Sequence, residues 1–109
     1  MKEQKAAPIT PRLRVVLNTG GVEGLFPLLK DWSRDDLKAL EADVGTWHDA
    51  HMERLDLMYG KYAMEPEFFF AKSGRQLLDK TVSGARMELA QVAAEILSVV
   101  YFYLERVPA

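Results

Sequence analysis

Apolar residues recur at Leu78, Val82, Ala85, Leu89, Val92, Ile96, Val99 and Tyr103, in steps that alternate four and three. No other feature limits the fold of this chain as strongly. That spacing is the heptad seam of a helix packed lengthwise on another helix. The same stretch carries a second apolar set, Ala90, Leu97, Tyr101 and Leu104. At about 100° per residue these sit roughly 80–140° round from Ile96, so the apolar arc covers about half the helix circumference. One partner helix cannot cover that much. A final helix from Arg75 to Arg106, about 48 Å long at 1.5 Å per residue, is therefore the expected centre of the fold.

A partner of matching length precedes it. Ser33-Arg34-Asp35-Asp36 has the pattern of a capping box with Asp in place of Glu, and its acids favour the positive end of a helix dipole. Apolar or ring-bearing residues follow at Leu37, Leu40, Val44, Trp47, His51, Leu55, Met58 and Tyr62, which predicts a helix of about thirty residues. Gly60 marks its expected end. Glu65-Pro66-Glu67 restarts the helical pattern, and Phe68, Phe69 and Phe70 follow at once. Three adjacent rings cannot share one helix face, so at least one is expected to anchor the turn. A bend is expected near Ser73-Gly74, because an unbroken helix from Pro66 to Val107 would reach about 63 Å.

The N-terminal third is less regular. Met1 to Ile9 is polar and reads as a flexible tail, which leaves residues 10–109 as one helical domain. Thr10-Pro11 is a helix start, with a hydroxyl cap and proline at the first helical position. The short run to Asn18 is favoured as helix, although Val15-Val16-Leu17 also fits a strand. Val22 to Lys30 is a second short helical piece, with Pro27 inside it. The predicted fold is all-α: a long antiparallel helical hairpin with short N-terminal helices across it, bundle-like and completed by dimerisation.

Composition narrows the chemistry. The absence of cysteine excludes a disulfide framework, thiol catalysis and thiolate metal sites. No apolar signal region opens the chain, and the longest apolar run, Ile96 to Leu104, is about half of a membrane span. A cytoplasmic protein with no membrane partner is the expectation. The net charge of −2 hides a polarity: residues 1–30 carry +3, residues 31–67 carry −6 and residues 68–109 carry +1. A basic arm (Lys2, Lys5, Arg12, Arg14) and a solvated acidic face (Asp35, Asp49, Glu53, Asp56) account for this. The acidic strip would suit docking on a basic surface, and the arm would suit nucleic acid.

His48 and His51 lie one turn apart, and Glu88 and Glu95 edge the main stripe of the final helix. Imidazoles and carboxylates on facing helices are how bundles build metal sites, so these four are the metal candidates. They lack the Glu-x-x-His pairing of such sites, and His51 falls near the centre of the apolar face. No metal or cofactor is predicted. Ala94-Glu95-Ile96-Leu97-Ser98 invites comparison with the second motif of the all-α nucleotide pyrophosphohydrolases. Ser98 stands where that family needs aspartate, and the first acidic cluster is missing, so the chain is not assigned there. Gly20-Gly21-Val22-Glu23-Gly24 lacks the lysine and hydroxyl of a phosphate loop and reads as a turn.

The sequence therefore predicts a small non-enzymatic protein–protein interaction module, a regulator, inhibitor or accessory subunit. Its expected partners are a second copy and another protein. Leu97, Val100, Tyr101 and Leu104 are the predicted dimer interface. A nucleic-acid-binding regulator using the basic arm is the alternative, and a helical-bundle metal or ligand binder comes third.

Overall fold

Two long helices set the frame. The computed structural model describes residues 9–19, 21–63 and 72–108. These form an all-α fold, with α1 (Pro11–Leu17), α2 (Val22–Leu29), α3 (Arg34–Ala63) and α4 (Lys72–Leu104) in chain order. Helices α3 and α4 run antiparallel along each other and make the main packing interface. Their register is regular. Glu41 meets Tyr101, and fifteen residues further along α3 Asp56 pairs with Arg86, fifteen residues back along α4. At the closed end the Arg34 guanidinium donates to the Leu104 carbonyl at 3.5 Å, where helical carbonyls lack partners of their own.

Local chemistry explains the helix starts. Thr10 caps α1 by accepting the Leu13 N–H at 3.1 Å, with Pro11 in the first turn. The segment is helix, not strand. Ser33 accepts the Asp36 N–H at 3.1 Å and so opens α3 as its sequence suggested. Between the short helices, Gly21 adopts φ +106°, a left-handed value that a side chain would strain. Helix α2 keeps Pro27 in its interior, with the ring on the exposed side.

One predicted end is absent: helix α3 continues past Gly60 to Ala63. Helix α4 begins at Lys72, beside the bend expected near Ser73-Gly74, and the residues before it lie outside the described ones. A helical glycine costs about 1 kcal/mol relative to alanine, and packing along a long seam outweighs that. At its other end, α4 stops at Leu104, two residues before the expected Arg106, which lies in a turn. The Phe68–Phe70 triplet, and the expected tail except for Ile9, lie outside the described residues.

The core gathers at the closed end. Leu13 and Val16 of α1 and Leu25 and Leu29 of α2 meet Leu37, Leu40, Val44 and Trp47 of α3 and Ala93, Ile96, Val99 and Val100 of α4. Each large side chain so buried contributes about 1.5–3 kcal/mol. Arg12 fixes α1 to α3 through a 2.6 Å bond from its Nε to Asp43 Oδ2, and the Thr10 hydroxyl donates to the same oxygen at 2.8 Å. The Tyr103 hydroxyl fixes α2 to α4 by donating to the Phe26 carbonyl at 2.8 Å, in the last turn of α2. The Phe26 ring stands edge-on to Phe102 and Tyr103.

This packing revises the second apolar set of α4. Val100 is fully buried inside the chain, and Leu97 and Leu104 pack against the core cluster. Tyr101 stays 45 % exposed, and its hydrogen bond to Glu41, together with burial and the carboxylate charge, raises its pKa. The C-terminal half of α4 therefore meets both α3 and α2. The set predicted as an open interface is largely closed from within.

Candidate functional site

The open apolar surface lies at the other end of the hairpin. Helix α3 is 30 residues long and α4 is 33, which makes them about 45 and 50 Å. Helices α1 and α2, of 7 and 8 residues, reach only about 10–12 Å each. Beyond their cover the α3–α4 seam opens as a groove of about 390 Å³. Trp47, His51, Arg54 and Leu55 of α3 form one wall, and Ala85, Glu88, Leu89 and Val92 of α4 form the other. Trp47 and Leu89 belong to the groove and also pack within or against the core.

Helical spacing shows which face this is. Asp43, Trp47 and Arg54 succeed one another by four and seven residues along one line of α3. Asp43 holds α1, and the next two line the groove. On α4 the line runs Glu88, Val92, Val99 and Tyr103. Tyr103 holds α2, and the first two line the groove. The groove therefore continues the face that α1 and α2 cover, from the point where their cover stops. Met58, 37 % exposed, extends the α3 line by a further turn.

Within the groove the His51 ring meets the Trp47 indole edge-on, with centroids 5.3 Å apart. Burial lowers the His51 pKa, and the nearby Arg54 cation lowers it further. Arg54 and Glu88 stand level on opposite walls, because the hairpin register that pairs Asp56 with Arg86 sets them two residues further on. Among the described residues neither takes part in an ion pair. A smaller hollow, about 250 Å³, lies further out between Tyr59 of α3 and Asp79, Val82 and Arg86 of α4.

The metal candidates divide. His51 and Glu88 line the groove, whereas His48 Nδ1 lies 3.2 Å from Asp49 and Glu95 accepts from Gln91 at 3.3 Å. Among the described residues no three such groups converge on a metal position. On the acidic face Asp35, Asp49, Glu53 and Asp56 are all exposed, and Asp56 also pairs with Arg86 of α4. Of the basic arm, Lys2 and Lys5 lie outside the described residues. Arg12 is held by Asp43, whose hydrogen bond raises the guanidinium pKa, and Arg14 is exposed. Gly21 makes the turn into α2, and a Cβ at Gly24 would meet the Thr19 carbonyl at 3.0 Å, so this glycine run serves close packing. Arg54 was not singled out from sequence, although its place seven residues after Trp47 marks it as lying on the seam.

No protein-family model matches the chain, and no curated protein or solved structure matches it either. By length and composition Leu78–Leu104 is apolar enough to cross a membrane, although its longest uncharged run is short. The central helix of a water-soluble bundle has the same composition. Glu88 and Glu95 within the stretch would be costly at membrane depth.

Proposed function

We propose that the chain is a non-enzymatic protein–protein interaction module of the cytoplasm that works as a homodimer. One observation carries this reading: the apolar seam of the hairpin extends well past the reach of α1 and α2. Two helices alone cannot bury both their faces. Val92 and Met58, each 37 % exposed, and Leu57, 56 % exposed, belong to this uncovered half. Small domains hide such surface against a partner, and a second hairpin makes a four-helix arrangement with only two-fold symmetry. A regulator or accessory subunit built this way has its exposed acidic residues, Asp35, Asp49 and Glu53, available for a further partner. Neither alternative class gains comparable support, since Arg12 is engaged by Asp43 and the metal candidates do not converge. Sedimentation equilibrium at micromolar concentration tests the reading, with a dimer mass expected. A monomer mass at every concentration, with no protein retained from a host extract, would overturn it.

A further inference from the structure

We draw no further inference here: the strongest candidate, the open apolar groove between α3 and α4 lined by Trp47, Arg54, Glu88 and Val92, carries none because nothing in the structure shows what covers it.

Discussion

His51 is the residue whose chemistry is most constrained. An indole covers one edge of its ring and a guanidinium lies on the next turn, so burial first and the Arg54 charge second lower its pKa. The native state therefore favours the neutral imidazole more than the unfolded chain does. The unfolded chain takes up a proton near pH 6.5, above the native pKa, so it binds more protons in the interval between the two values. Stability must then fall as pH drops from about 6.5 towards the native pKa, and it gains nothing from this residue at higher pH. The melting temperature of wild type should show that slope, and His51→Leu should keep the fold while flattening it. An unchanged slope in the variant would assign the effect to other groups. Asp43 is the corresponding fixed point of the N-terminal layer, since one carboxylate oxygen receives both Thr10 and Arg12.

At the scale of elements, the long helices carry more glycine than they need. Gly45, Gly60 and Gly84 all lie in helix interiors, and a Cβ at each would meet nothing within 4 Å. Replacing all three with alanine should raise stability by about 0.5–1 kcal/mol per site, measured by denaturant unfolding. Gly60 accounts for the one misplaced helix end of α3. Heptad spacing from Leu78 to Tyr103 and from Leu37 to Tyr62 was enough to reveal both long helices, and Thr10-Pro11 and Ser33 were enough to place two starts. A glycine penalty, read locally, suggested an end that the packed seam overrides. The covered end was illegible for another reason. Nothing local in Phe26 says that it meets Phe102 and Tyr103, and nothing local in Arg12 says that it meets Asp43. Those contacts span tens of residues, and they decide that Val100 is closed and Val92 is open. The apolar arc on α4 was correctly read as too wide for one partner, since its C-terminal half meets both α3 and α2; within the predicted interface set Val100 is buried while Tyr101 stays 45 % exposed.

The whole molecule is a rod closed at one end. Its extents are 57 × 32 × 21 Å, and its radius of gyration is 17.5 Å, against about 13 Å for a compact domain of this length. The core cluster sits in the half bounded by Trp47 and Ala93. Amide hydrogen exchange at concentrations where the chain is monomeric should therefore be slow over 34–46 and 93–104 and faster over 47–63 and 83–92, because local opening follows the density of buried contacts. Uniform protection along both helices would mean that the outer half is stable without a partner. Trp47 stands at the boundary, as the last residue of the core and the first of the groove, edge-on to His51. Its only tryptophan companion, Trp32, packs against the core near the closed end. An excited indole loses its emission to a protonated imidazole in contact with it. The chain thus carries a built-in optical probe, whose brightness reads the proton on His51.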